Sequence, residues 1–264
     1  MSTRKNDPEN LEKQYQDVGN LNARILLHQR SSANPYGWQR WVFDHFQLPD
    51  GAHVLEVGCG PGNLWLENLD RLPPSWQITL VDFSPGMLAQ AQANLSDLRA
   101  FDYQVVNANN PPLPFETCSF DAVIANHMIY HLSNKEGFFS EIRRIIKSAG
   151  VFYASTNGFN HLLEITDLLQ RFNPNLNRER YIDSFTLENG QEQLAGWFNE
   201  VTLERYEDEL NVTDAGLLAD YILSGLVDLD EEDQDALRNF ILGALRPAGG
   251  SFHITKDGGM FMAK

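Results

Sequence analysis

The stretch VLEVGCGPGNLWLENL, Val54 to Leu69, constrains the fold of this 264-residue chain more than any other. His53 to Val57 is rich in β-branched and aliphatic side chains and alternates little, the pattern of a strand buried on both faces of a sheet. Gly58, Gly60 and Gly62 end it, two residues after the acidic Glu56. Leu64, Trp65, Leu69 and Leu72 then recur at spacings that fit one helical face, so the segment is expected to run strand, glycine turn, helix. Such a turn brings bare backbone up to a ligand at a helix N-terminus.

The same alternation continues along the chain. Ile78 to Val81 is expected as a buried strand ending at Asp82, followed by a helix face of Leu88, Ala91, Leu95 and Leu98. DYQVVNAN, FDAVIAN and GVFYASTN supply further strands; Phe138, Phe139, Ile142, Ile145 and Ile146 mark an amphipathic helix that Gly150 is expected to close. Strands alternating with helices predict an α/β fold with a doubly wound, mostly parallel sheet. Ahead of it, residues 1–49 form an N-terminal helical segment, polar over its first 20 residues and aromatic at Tyr36, Trp38, Trp41, Phe43 and Phe46. Residues 50–264 form the α/β domain, with helical insertions at about 158–185 and 213–247. VTLERYEDEL is strand-like, and Asp257-Gly258 between apolar alternations predicts a hairpin.

Charge and cysteine content narrow the partners. With 36 acidic and 20 basic residues the formal charge is −16, which repels DNA, RNA and anionic membrane surfaces. No signal segment and no bilayer-length apolar run is present, so a soluble, cytoplasmic chain is expected. Two cysteines are too few for a disulfide framework or a cysteine zinc site, and no metal is expected; Cys59, inside the glycine turn, is expected as a small buried side chain. The acidic run Asp228 to Asp235 lacks the glycine and closing glutamate of a calcium loop and suits a helix N-terminus. Oligomeric state is not legible.

VLEVGCGPG, then TLVDFSPGML, then LPFETCSFDAVIANHMIYHL resemble the class I S-adenosylmethionine-dependent methyltransferases, most closely their small-molecule branch. The resemblance spans roughly residues 50 to 157 and rests on three linked motifs. It implies a seven-stranded sheet, S-adenosylmethionine as cofactor and a small-molecule methyl acceptor. Carried residue by residue, it gives Glu56, Gly58, Gly60 and Gly62 the methionine part of the cofactor, Asp82 the ribose hydroxyls and Asn126 the amino-acid end. The turn after the third strand would frame the adenine, with Phe83 as an apolar wall. Relatives commonly carry an aspartate four residues before the LPF leucine; here it is Asn109, whose amide oxygen can still accept, with Asn107 or Ala108 in its place if the turn is shifted.

The residues agree with that assignment. A carboxylate accepting two parallel hydrogen bonds suits a vicinal diol. A nicotinamide-dinucleotide reading wants G-x-G-x-x-G, whereas here the third glycine comes one place early. Methyl transfer from a sulfonium needs alignment, and a base only if the nucleophile carries a proton. His127 and His131 follow the fourth strand at the sheet edge where ligands of open α/β sheets bind, and with Tyr130 they are the candidate catalytic groups. The N-terminal segment, with Tyr36 and Trp38, and the two insertions are expected to form a lid, with Tyr15, Phe159, Leu163 and Tyr221 lining it. The alternative is a cofactor-binding or cyclase-like protein of the same fold without methyl transfer.

Overall fold

The structure, a computed structural model, describes residues 18–95, 101–176, 184–224, 227, 229–245 and 250–264. Tyr15 and Leu98 lie outside the described residues. A seven-stranded sheet runs in the order β3-β2-β1-β4-β5-β9-β6, from β1 (His53–Val57), β2 (Gln77–Asp82), β3 (Asp102–Val105), β4 (Phe120–Asn126), β5 (Ile146–Asn157), β6 (Val201–Tyr206) and β9 (Gly258–Ala263). All pairings are parallel except those of β9, which is antiparallel to both β5 and β6. The expected fold class is the one observed. Strand order reverses between β1 and β4, and at that switch the carboxyl ends of the strands leave a crevice for a ligand.

The absence of polar alternation in β1 has the expected consequence. Val54 packs into one core with Ile78, Ile124 and Trp65, while Leu55 packs into the other with Val123, Phe152 and Ile142. Helices flank both faces: α2 (Trp38–Asp44), α3 (Asn63–Leu66) and α4 (Pro85–Leu95) adjoin the first core, and α5 (Lys135–Ile145) the second.

A third core lies apart from the sheet. α1 (Val18–Ser31), α6 (Leu163–Phe172), α8 (Ala215–Leu223) and α9 (Glu231–Leu245) bury Leu27, Ile165, Leu168, Leu218, Ile222 and Ile241 together. A two-stranded sheet of β7 (Glu209–Val212) and β8 (Phe252–Thr255) joins them. These four helices and the small sheet, called the cap below, thus share one core. The acidic run sits as expected, with Glu231, Glu232 and Asp233 in the first turn of α9. Among the described residues no helix is long and apolar enough to cross a membrane.

Three local expectations are corrected. The helix after the glycine turn lasts only four residues, because the Asn68 amide donates to the Leu64 and Gln39 carbonyls and turns the chain into a 3-10 segment, Leu69–Arg71. Leu69 and Leu72 still reach the core. Gly150 does not cap α5: Ile146 already begins β5, and Gly150 lies within it at a register shift, where a Cβ would meet the Asp121 carbonyl at 3.0 Å. Asp257-Gly258 is not a hairpin, since β8 pairs with β7 and β9 with β5 and β6. It is the corner between cap and sheet, held by Arg205 on the Asp257 carboxylate at 2.6 Å.

Candidate active site

The cleft at the switch point is about 1180 Å³, walled by the glycine turn, the ends of β2 and β4, and the cap. Its geometry begins at the three glycines, which all have left-handed backbone, with φ of 72°, 53° and 78° at Gly58, Gly60 and Gly62. Gly58 and Cys59 donate to the Val81 carbonyl at 2.8 and 3.1 Å, tying the turn to β2. The three are not equivalent. A Cβ on Gly58 would stand 3.0 Å from Met128, and one on Gly62 would stand 2.9 Å from Leu95. Only the Cβ direction of Gly60 is open. Gly62 does not line the cleft and faces Leu95 and Ala91 of the next helix, whereas Gly60 lines it with bare backbone. Cys59 is buried as expected, and burial pushes its thiol up, away from a reactive thiolate.

Asp82 closes the turn. Its Oδ2 accepts from Gly60 N at 3.0 Å and its Oδ1 from Ser84 N at 2.9 Å, the Phe83 backbone is a further donor to it, and the residue lines the cleft. Burial pushes this carboxyl above its usual range, opposed by those backbone donors.

Glu56 lies beneath it, 2 % exposed, accepting from Trp65 Nε1 at 2.7 Å and Asn126 Nδ2 at 3.5 Å. The Asn126 amide oxygen accepts from Ser155 Oγ at 2.9 Å, and that hydroxyl in turn accepts from His127 N at 3.1 Å. Among the described residues no cation balances Glu56, and burial raises its pKa to about 8. A ligand cation beside it would pull the proton off. Trp65 and Ser155, which hold Glu56 and Asn126, escaped the sequence reading because both look like ordinary core positions.

Phe83, Asn107, Ala108 and Asn109 also line the cleft. The Asn109 amide oxygen is already committed: it accepts from Ser133 N at 2.8 Å, Ser133 Oγ at 3.1 Å and Asn134 N at 3.3 Å. That corrects the expectation that it would accept from an adenine amine. Asn107 is spent likewise, on Asn109 N at 2.9 Å.

His127, Tyr130 and His131 line the far half of the same cleft. His127 has left-handed backbone, φ 50°, which histidine adopts more readily than most non-glycine residues, and its ring lies 4.9 Å from that of Trp38. Trp38 in turn packs on Tyr206 at 5.4 Å and against the core that holds Cys59 and Leu64. Tyr36 is on the rim, 47 % exposed, with its hydroxyl donating to Asp44 at 2.7 Å. Burial, with help from Lys256, lowers His127 to about 4; burial, with help from Arg24, lowers His131 to about 4. Both imidazoles are neutral at pH 7, and as free-enzyme bases they are weaker than the ordinary value of about 6.5 promised.

The cap adds residues that no local motif announced. His28 from α1, Tyr206, Asp208, Tyr221 and Lys256 all reach this half. His28 packs against Tyr221 at 5.9 Å and His161 at 6.5 Å, and burial lowers it to about 3. Tyr221 was expected in the lid. Phe159 is 45 % exposed, and neither it nor Leu163 lines the cleft.

A family model described as "Methyltransferase domain" matches residues 55–154. Over 101 residues the chain is 37 % identical to a malonyl-(acyl-carrier protein) O-methyltransferase of Geobacter sulfurreducens, covering 38 % of this chain and 37 % of that protein. The chain spans less than half the length of the curated relatives it first matches. Among solved structures, phosphoethanolamine N-methyltransferase 2 of Haemonchus contortus is 22 % identical, with a TM-score of 0.56 over 95 % of this chain and 57 % of that one. A (4+2)-cyclase, SpnF, is 16 % identical, with a TM-score of 0.58 over 97 % and 95 %. At these identities the two structures share the fold, and the sequence match lies over the glycine turn and β2 to β5. Over that segment the chain is similar to the methyltransferase-domain family, and over nearly its whole length it shares the fold of these two structures.

Proposed function

We propose that this chain binds S-adenosylmethionine in the half of the cleft bounded by Gly60, Asp82 and Glu56, and transfers its methyl group to a small organic acceptor held beneath the cap. The observation that carries the reading is the buried Asp82 carboxylate at the end of β2, tied to Gly60 of the glycine turn and lining the cleft beside it. That arrangement fits a ribose diol and opposes a 2′-phosphate. Glu56, buried without a cation, complements the positively charged end of the cofactor. When bound, the cofactor supplies an electrophilic methyl on a sulfonium. The chain's own residues then orient the acceptor, exclude water and hold the cofactor's amino-acid end through the Glu56–Asn126 pair.

The cap is proposed to cover both ligands, with residues 1–49 and the insertions at about 158–185 and 213–247 as its parts. His127, His131 and Tyr130 are proposed to position the acceptor. An enclosed cleft suits a small molecule, and the −16 charge disfavours nucleic acid or an anionic membrane as partner. The names of relatives, for malonyl-(acyl-carrier protein) and demethylmenaquinone methyltransferases, support small or carrier-borne acceptors. Two unpaired cysteines suit a cytoplasmic chain.

Calorimetric titration with S-adenosylmethionine, S-adenosylhomocysteine and NADH tests the cofactor. The reading expects the first two to bind and Asp82→Ala to weaken them about ten- to hundredfold, the scale of losing hydrogen bonds to a charged group. Preference for NADH, or unchanged affinity in a folded Asp82→Ala protein, contradicts it.

A further inference from the structure

The two halves of the cleft differ in charge. Glu56 and Asp82 stand at the glycine-turn end. At the other end stands Lys256, from the corner between β8 and β9, its side chain 14 % exposed. Lys256 acts on His28 and His127, and does not figure among the influences on Glu56 or Asp82. It therefore belongs to the far half.

Its partner, Asp208, is 1 % exposed and already well served: besides Lys256 it accepts from Ser32 Oγ at 2.8 Å, Asn34 N at 3.0 Å and Glu209 N at 2.9 Å. Both members of the pair line the cleft, the carboxylate with several further donors on it. Among the described residues Lys256 Nζ donates only to Asp208, with the Tyr206 ring 5.5 Å from it. An ammonium has three donors, so two are unspent at the cleft. The neighbouring imidazoles are neutral and add no charge.

We propose that the half of the cleft beneath the cap takes an acceptor bearing a carboxylate, seated on the two unspent N–H donors of Lys256, with its apolar body against Trp38, Tyr206 and Tyr221. The proposal rests on the reading that the cofactor fills the other half. A carboxylate supplies two acceptor oxygens and the matching charge in a site shielded from water, where such a pair is strong. Arg24 also lines the cleft and adds a second positive charge near His131, its guanidinium donating to Ser224 Oγ at 3.2 Å and to the Ser224 carbonyl at 3.0 Å. Trp38, Tyr206 and Tyr221 meet at 5–6 Å with each other or with His28 and His127, and give flat apolar surface beside that charge. The net −16 of the chain opposes the approach of any anion, so an acid that binds here is bound by the local cation.

The test uses matched acids and amides: acetate and acetamide, benzoate and benzamide, 4-hydroxybenzoate and 4-hydroxybenzamide, with inorganic phosphate alongside. Each is titrated into the chain, with and without saturating S-adenosylhomocysteine, by calorimetry or ligand-observed NMR. The aromatic acids are expected to bind about tenfold or more tightly than their amides. The Lys256→Met/Asp208→Asn double variant, which leaves no unpaired carboxylate, is expected to lose that preference, and Lys256→Arg to keep it. S-adenosylhomocysteine affinity, expected within about twofold of the parent in both variants, reports that they are folded and reads the cofactor site separately. Amides binding as tightly as acids, no acid binding at all, phosphate outcompeting every carboxylate, or a preference surviving in the double variant overturns the proposal. Failure of S-adenosylhomocysteine to bind the parent strikes the cofactor reading instead, while the titrations without it still decide on Lys256.

Discussion

Gly60 and Gly62 share a backbone conformation and differ in what surrounds them, and substitution should separate their roles. Gly62→Ala adds a methyl 2.9 Å from Leu95 at φ 78°, and should cost about 2–3 kcal/mol of stability, seen in denaturant unfolding. Gly60→Ala meets no protein atom, and should cost only about 1–2 kcal/mol while weakening cofactor binding more than Gly62→Ala does. Equal effects of the two on affinity would refute the division. The spacing of the glycines was legible, but this division was not, because it depends on Met128 and Leu95, which only the folded chain brings near. Glu56 offers a pH test. Its folded pKa of about 8 exceeds the ordinary 4.5, so its contribution to stability is fully present below pH 4.5 and is lost as pH rises toward and through 8. The ligand-free chain should therefore lose thermal stability between pH 5 and 8 in a way that Glu56→Gln abolishes. Binding of the cofactor at pH 7 should release most of one proton, measured as a dependence of binding enthalpy on buffer ionisation. No proton release, or release unchanged in Glu56→Gln, would show that no ligand cation meets Glu56.

At the scale of elements, β1, β2, β4 and β5 were legible because their apolar runs are buried in the sheet, and β3, a mostly exposed edge strand, from its place in the alternation of strand and helix. The cap was legible only as helical stretches. Leu27 of α1 packs with Leu218 of α8 and Ile241 of α9, contacts across some 200 residues that no periodicity reveals. The misread corner at Asp257-Gly258 has the same origin: alternation on both sides suggested pairing, but β8 found β7 and β9 found the large sheet. His28 and Lys256 were invisible for that reason, since each reaches the cleft only through an element whose partner is distant. Leu27→Ala tests the cap as a unit. Removing a fully buried leucine costs about 2–5 kcal/mol, and should raise hydrogen exchange in α8 and α9 while leaving β1 and β2 protected. Uniform loss of protection across both regions would show that cap and sheet unfold as one body.

Over the whole molecule, a strongly acidic chain encloses a cleft with Glu56 and Asp82 at the glycine-turn end and the Lys256–Asp208 pair beneath the cap. That polarity complements a cationic methyl donor and an acceptor brought to it under a cap, with Arg143, Arg144 and Lys147 on α5 and the start of β5, outside the cleft wall. Arg144 and Lys147 are moreover paired, with Glu141 at 2.7 Å and Asp121 at 2.7 Å. The central claim is transfer of a methyl group to a small molecule. Its most direct test is to incubate the chain with methyl-labelled S-adenosylmethionine and, in parallel, a cellular small-molecule extract, total RNA and genomic DNA at one low salt concentration. The account predicts label in the small-molecule fraction, lost with Asp82→Ala; label in nucleic acid alone, or tight cofactor binding with no transfer to any fraction, would contradict it.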